Sequence, residues 1–574
     1  MGGLGPGRVV RVSGPLVEVE GLADVAMAEV VALGEAGLPG EVVAVRGSTA
    51  QVQAYEYTGG LAGEDPVSAS GRPLSARLGP ELLGGVYDGM LRALPPSRTW
   101  LVPTASAADE PAAHTWSWRP AVSVGMSVAA GDVVGVVPDV PGLEYRVLVG
   151  VSGQVEEVAA EGSYAADAAV AVVDGTPVTI GTEWPVRRPR PVRERVDGAE
   201  PLVTGQRVID AVFPLARGGT AAVPGGFGTG KTMLLQQIAK WCDADVIVYV
   251  GCGERGNEMA AVLEELAGLT DPRTGRALAE RTVVIANTSN MPLMAREASI
   301  YTGVTVAEFF RDMGYHAVVI ADSTSRWAEA LREFASRSGA LPAEEGYPAG
   351  LASALAAFYE RAGRVITLGG KDASVTIIGA VSPPGGDTSE PVTAHTESFV
   401  RELWSLDRDL AYARHYPAVG WTGSFARDAQ ALGLWYARSG DPEWSSRRAR
   451  VTRLLADADR LTDLAELVGA ASLPGHERVV LLAGRLLREG VLQQSAISAN
   501  DAYCTPAKTA ALLDAVLATV DACDALIDRG ITAAEIEELD FTPLLRAARD
   551  TAPDGAAVVA ERRDEMLATL AGVR

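Results

Sequence analysis

A chain carrying Gly225-Gly226-Phe227-Gly228-Thr229-Gly230-Lys231-Thr232 matches the phosphate-loop pattern G-x-x-x-x-G-K-[ST]. The pattern needs a particular setting, in which a strand delivers the loop and a helix leaves it. The neighbouring residues comply. Val223 closes a short apolar run, and Met233, Leu234, Leu235, Ile238, Ala239 and Trp241 then recur at helical spacing. Glycines let successive backbone N–H groups turn inward on a polyphosphate with no Cβ in the way. Lys231 brings a point charge to the β- and γ-phosphates, and the Thr232 hydroxyl is placed to ligate Mg2+. The helix start adds its partial positive charge. This stretch reads as a nucleotide site in an α/β domain.

The sequence on either side, over 196–420, alternates strands and helices as a parallel sheet with crossover helices requires. Val246-Ile247-Val248-Tyr249-Val250, Thr282-Val283-Val284-Ile285-Ala286 and Ala317-Val318-Val319-Ile320-Ala321 are apolar throughout, as strands buried on both faces are. Arg364-Val365-Ile366-Thr367-Leu368 and Val375-Thr376-Ile377-Ile378-Gly379 complete the expected sheet. Asp322 ends the third of these strands and suits the acidic residue that holds Mg2+ directly or through water. It also suits the cap of the helix that follows, and one residue can do both. Gly253-Glu254-Arg255-Gly256-Asn257-Glu258 lies at the carboxyl end of the 246–250 strand, where such sheets bind ligands. Glu254 can there polarise a water for in-line attack on a γ-phosphorus, and Arg255 can stabilise charge on the phosphoryl oxygens.

The remaining chain divides by pattern. Val9-Val10-Arg11-Val12 and Leu16-Val17-Glu18-Val19-Glu20 flank the turn Ser13-Gly14-Pro15, and further short strands follow to Tyr55. Alternation between Gly-rich turns predicts an antiparallel barrel. After Leu78-Gly79-Pro80 a short helix is expected from Glu81, with Leu82, Leu83, Val86 and Met90 apolar and Gly84, Gly85 and Gly89 limiting it. Valines set among Gly and Pro predict a second β-rich module, closed by Pro185-Val186-Arg187-Arg188-Pro189-Arg190-Pro191. Trp100, Trp116, Trp118 and Trp184 in or beside it read as packing residues. After about residue 425 strand signals stop, and stretches such as Val479 to Leu487 and Thr509 to Leu526 are Leu/Ala-rich at helical spacing. The expected fold class is therefore multidomain α/β. It has an N-terminal β-barrel (1–75), a β-rich insertion (110–185), a P-loop nucleotide-binding domain (76–109 and 186–424) and a C-terminal helical domain (425–574).

Composition narrows the function. An apolar fraction of 48% over 574 residues supports large cores. A net charge of −23 argues against nucleic acid as a partner, since phosphate backbones want basic stripes. Cys242, Cys252, Cys504 and Cys523 are scattered without a C-x-x-C pair, giving neither a disulfide framework nor a zinc site. The N-terminus lacks the basic start and apolar run of a signal peptide, and no run approaches the roughly 18 apolar residues of a membrane span.

Five runs together resemble one family closely. They are the loop 225–232; Tyr249-Val250-Gly251-Cys252-Gly253-Glu254-Arg255-Gly256-Asn257-Glu258; Ala286-Asn287-Thr288-Ser289-Asn290-Met291-Pro292; Ala321-Asp322-Ser323-Thr324-Ser325-Arg326-Trp327-Ala328-Glu329-Ala330; and Ser382-Pro383-Pro384-Gly385-Gly386-Asp387. The chain is identified by them as similar to the catalytic A subunit of V-type and archaeal-type rotary ATPases, over essentially its whole length and including the insertion.

The resemblance implies three A and three B subunits around a central stalk, with ATP sites at A–B interfaces. It also implies peripheral stalk subunits and a membrane sector that translocates protons or sodium, with this chain on the cytoplasmic face. It implies that Glu254 orients the attacking water, that Arg255 and Arg326 contact phosphate, and that Lys231 and Thr232 hold the phosphates and Mg2+. Phe227 shapes the loop, Tyr416 and Tyr503 match residues that pack the adenine, and an arginine finger is expected from the neighbouring B subunit. Thr229 stands where vacuolar relatives carry a cysteine, so their redox switch with a cysteine in the position of Cys504 does not carry over. Gly420 and Ala426 depart from the family's local pattern. The alternatives are a non-rotary hexameric P-loop motor of the secretion or RNA-translocase type, which the acidic balance and the insertion disfavour, and a non-catalytic nucleotide-binding subunit, which Lys231 and Glu254 disfavour.

Overall fold

The computed structural model describes residues 7–22, 24–94, 114–271, 274–339 and 341–573; Trp100 and the first six residues lie outside them. The chain forms two compact units. The first comprises Met1–Asp197, Ala244–Val381 and Ser389–Phe399, and the second Gly198–Asp243, Ser382–Thr388 and Val400–Arg574.

In the first unit, period-two alternation over strands such as Leu16–Glu20 and Glu29–Leu33 sends every second side chain inward. Six strands from Gly7–Ser13 to Pro66–Pro73 close into a barrel around Val9, Val17, Val19, Val31, Leu33 and Val52. Closure leaves no sheet edge. The next strand, Ser75–Leu78, pairs antiparallel with Thr182–Pro185, so the chain leaves for the insertion and returns from it side by side. The insertion is built from two four-stranded sheets. Trp118 is fully buried in it, and its indole N–H donates to the Ala159 carbonyl at 3.2 Å. Trp184 is half-buried with its indole N–H on the Arg188 carbonyl.

The helix expected from Glu81 does not form. Pro80–Leu82 makes a single 3-10 turn, and Val86–Tyr87 becomes a short strand parallel to Thr282–Asn287. Gly84 takes φ +77°, and a Cβ on Gly89 would sit 1.9 Å from the Ala295 carbonyl oxygen. These glycines serve a left-handed turn and a close backbone approach, which outweigh the apolar spacing.

The open sheet of this unit orders Asp372–Val381, His316–Asp322, Val246–Cys252, Thr282–Asn287 and Val86–Tyr87 side by side, all parallel. Val246–Cys252 and Thr282–Asn287 are buried at every residue, as their apolar runs predict. Helices Gly256–Gly268, Leu293–Asp312 and Thr324–Ser338 follow the strands, so the strand ends and helix starts that carry chemistry share one sheet edge. One expected strand runs the other way. Gly363–Ile366 is antiparallel to Asp372–Val381, because the connection through Gly369 and Gly370 is too short for a crossover.

In the second unit, Thr220–Pro224 runs parallel to Glu402–Leu403, which pairs antiparallel with Phe425–Ala426. Beyond them the chain is helical, with Trp444–Val468, Gly475–Arg485, Pro506–Asp528 and Ala556–Ala571 as the main helices. A fully buried ion pair, Arg207 with Asp501 at 2.7 Å, fastens the helix Arg207–Val212 to the 494–501 segment. Gln494 reinforces it by accepting from the Arg207 backbone N–H at 2.9 Å. Among the described residues no helix is long and apolar enough to cross a membrane. All four cysteines are buried and none is in a disulfide.

Candidate nucleotide site

The phosphate loop has the geometry its sequence predicts. Thr220–Pro224 delivers it and the helix Lys231–Trp241 leaves it. Gly228 and Gly230 take φ +81° and +85°, a region that disfavours a side chain. A Cβ on Gly225 would lie 2.7 Å from Thr229 Oγ1 and 2.9 Å from Leu406 Cβ. Thr229 is buried, and its hydroxyl donates to the Gly226 carbonyl at 2.8 Å, tying the turn. Thr229 thus does a structural job in the loop. Lys231 Nζ donates to the Gly225 carbonyl at 2.8 Å, holding the ammonium over the loop. Thr232 is half-buried on the first helical turn, and Phe227 is 96% exposed at the loop tip.

Beside the loop, within the same unit, lies a cavity of about 600 Å3 lined by Gly230, Met233, Tyr416, Gln493 and Arg549 among others. Tyr416 stands close enough that a Cβ on Gly230 would be 3.0 Å from its ring. Its carbonyl accepts from the Gln494 N–H at 2.8 Å. Tyr503 does not line this cavity. It packs 5.8 Å from the Trp241 ring and against Gly205, whose Cβ would meet the ring at 2.6 Å.

In the first unit, Glu254 follows the strand Val246–Cys252, and its carbonyl accepts from the Ser289 N–H at 2.9 Å. Burial first, then the charges of Asp322 and Glu258, push its carboxyl up to about 8, while Arg326 pulls it the other way. Asp322 ends the strand His316–Asp322 almost fully buried, and Tyr249 donates its hydroxyl to it at 3.1 Å. The cap position of the following helix is taken by Ser323 rather than by Asp322. Arg326 lies on that helix and donates twice to Glu329 at 2.9 Å. Arg255 precedes the helix Gly256–Gly268 with its side chain 72% exposed, 4.0 Å from Glu258.

Sequence patterns do not single out one member of this group. Arg296, on the helix Leu293–Asp312, flanks Gly253 together with Arg326: a Cβ there would sit 2.8 Å from Arg326 Cβ and 3.2 Å from Arg296 Cδ. Gly253, at φ +74°, is what lets two arginines approach the backbone before Glu254. The cue in the sequence is a charged Arg296-Glu297 pair set among Leu293, Met294, Ala295, Ala298 and Ile300 at the start of that helix.

Comparison with known proteins decides what this assembly belongs to. The chain is 49% identical over 556 residues to the V-type ATP synthase alpha chain of Nitrosococcus oceani, covering 95% of this chain and 93% of that one. The chain belongs to the A-subunit (alpha-chain) family of V-type and A-type ATP synthases. It is 47% identical to the corresponding A-type ATP synthase chain of Thermofilum pendens, over 93% and 91% of the two chains. Against that of Thermococcus kodakarensis it is 48% identical over 93% of each. Family models agree in order along the chain. They are the ATP synthase alpha/beta β-barrel domain (9–71), the alpha/beta subunit barrel-sandwich domain (110–187), the alpha/beta nucleotide-binding domain (205–426) and the C-terminal domain of V and A type ATP synthases (434–535). Among solved structures, the assembled ATPase EscN of the enteropathogenic E. coli type III secretion system shares the fold, with a TM-score of 0.65 and 21% identity over 89% of this chain and 99% of that one. This A-subunit family member is therefore a catalytic, nucleotide-binding chain of a multisubunit ATP synthase, which hydrolyses or forms ATP.

Proposed function

We propose that this chain binds ATP or ADP on the 225–232 loop and breaks or forms the β–γ phosphoanhydride at an interface with a B-type subunit. Lys231 meets the β- and γ-phosphates, while backbone N–H groups of the loop face their oxygens. Tyr416, on the wall of the 600 Å3 cavity beside the loop, flanks the adenine. The Thr232 hydroxyl and the Asp322 carboxylate are hard oxygen donors, a set that suits Mg2+ completed by phosphate oxygens and water. Bound there, the ion would offset negative charge on the phosphates as it develops.

In hydrolysis Glu254, once ionised, accepts a hydrogen bond from a water and aims its lone pair along the β–γ axis. Arg255 and Arg326 meet the charge spreading over the γ-oxygens, with Arg296 positioned behind Gly253. Synthesis runs the same steps in reverse. An arginine from the B-type subunit completes the site, worth about 10³–10⁵ in rate. The working assembly is an A3B3 ring with central and peripheral stalks, on the cytoplasmic face of a membrane whose partner sector moves protons or sodium.

The observation that carries this reading is the company Glu254 keeps: a strand-end carboxylate half-desolvated beside Asp322, with Arg326 opposite. Calorimetric titration of MgADP into the parent chain and into Lys231→Ala tests the binding half. Loss of at least tenfold in affinity in the variant is expected, and equal affinity would contradict the assignment of the loop.

A further inference from the structure

A second cavity, of about 410 Å3, lies within the second unit and takes no part in the chemistry above. Trp435, Tyr436 and Trp444 line one side of it. Tyr436 and Trp444 stack with ring centroids 4.7 Å apart and planes 10° from parallel, and Trp435 meets Tyr436 edge-on at 5.2 Å. A volume of this size accommodates a small organic molecule, and apolar walls with a few convergent polar groups are how such molecules are held.

Four charged groups face the cavity, and three are already occupied. Asp210 accepts from the Thr204 N–H at 2.9 Å, the Thr204 hydroxyl at 2.7 Å and the Gly205 N–H at 2.9 Å. Asp441 is held by Arg447 at 2.9 Å, and Arg447 also grips Asp514 at 2.7 Å. Arg448 is the exception. Its Nε donates to the Val212 carbonyl at 2.7 Å, and no carboxylate among the described residues lies within ion-pair distance of it. Burial accordingly lowers its pKa, with no anion to oppose the shift. A half-buried guanidinium without a counter-ion is costly to keep, and its Nη donors form a fork suited to carboxylate, sulfonate or phosphate.

The first turn of the 23-residue helix Pro506–Asp528 lines the same cavity through Pro506 and Ala507, adding the partial positive charge of a helix start. The cavity therefore pairs aromatic side chains with one guanidinium, that of Arg448, which no carboxylate among the described residues engages, while its other charged groups are held as above.

We propose that this cavity binds a small planar organic anion, an aromatic or heteroaromatic carboxylate, sulfonate or phosphate monoester. Its ring lies against Trp435 and the Tyr436–Trp444 pair, and its anionic group rests on Arg448. Nothing in the proposal depends on the nucleotide assignment.

The test uses the full chain with saturating MgADP and 8-anilinonaphthalene-1-sulfonate as probe, read by energy transfer from tryptophan. One saturable site is expected in the parent and in Lys231→Ala. Arg448→Gln should weaken it at least tenfold, and thioflavin T, a planar cation, should not displace the probe. Ser439→Trp, at an exposed lining position, should also block binding, and it carries the test if Arg448→Gln does not fold. Equal affinity in the parent and a folded Arg448→Gln chain would overturn the proposal. So would unchanged binding in Ser439→Trp, or displacement by the cationic dye.

Discussion

Replacing Glu254 by glutamine separates chemistry from folding, because the two side chains match in shape and differ in charge. Glu254 is a carboxyl pushed from 4.5 up to about 8 by burial and by Asp322 and Glu258. Between those values the folded chain holds a proton that the unfolded chain does not, so its contribution to stability falls as pH rises from about 4.5 to about 8. Above pH 8 the parent carries an ionised Glu254 among two other carboxylates, a penalty glutamine never meets. At about 1.36 kcal/mol per unit the shift sets a ceiling of about 5 kcal/mol. Solvent reaches part of the side chain, which brings the expected difference to about 1–2 kcal/mol.

Glu254→Gln should therefore melt with the parent near pH 4.5, above it by about two-fifths of the full gap at pH 6, and a few degrees above it at pH 9. Turnover should move oppositely. Glutamine cannot take up a proton from water, so kcat in the assembled enzyme should fall by roughly 10²–10⁴, about 3–5 kcal/mol of barrier, with MgADP affinity retained. Scanning calorimetry at these pH values, beside a coupled ATPase assay, reads both. A variant that loses stability at pH 9 and turnover together would refute the reasoning, and so would undiminished turnover.

Four further outcomes follow from the same geometry. If Glu254 acts ionised, kcat/KM for ATP should rise with pH and level off above about 8, the pH to which its carboxyl is pushed; a flat profile from pH 6 to 9 would contradict that role. Gly225→Ala drives a Cβ into Thr229 Oγ1 and Leu406, so calorimetry should find MgADP binding lost or at least tenfold weaker in a chain that still folds. Tyr416→Ala removes an aromatic wall of the cavity beside the loop and should cost about 1–3 kcal/mol of ATP affinity, with Tyr416→Phe near the parent. Asp501→Ala strands Arg207, fully buried, without its carboxylate; urea unfolding should show a loss of about 3–5 kcal/mol in the transition that reports the second unit.

Much of this was legible in the sequence where local chemistry and tertiary structure agree. Strands buried on both faces have to be apolar throughout, so Val246–Cys252 and Thr282–Asn287 announce themselves. The loop is legible because its backbone conformation demands Gly228 and Gly230. The failures have one origin, which is that distant contacts outweigh local pattern. Apolar spacing after Glu81 suggests a helix, but Val86–Tyr87 finds a strand partner in Thr282–Asn287. Strand direction at Gly363–Ile366 is set by a short turn that the apolar run does not encode. Arg296 joins Arg326 only because both pack on Gly253, a meeting no spacing rule predicts. The pairing of Arg207 with Asp501 is of the same kind, since nothing near either residue names the other.

The central claim, an ATP site on this chain completed in trans, is tested most directly by measuring ATPase activity of the purified chain by itself and again after mixing with its B-type partner. A gain of at least a hundredfold on mixing, abolished by Glu254→Gln and accompanied by a ring of three copies of each chain, is the predicted result. Full activity of the isolated chain, unchanged by the partner, would contradict it.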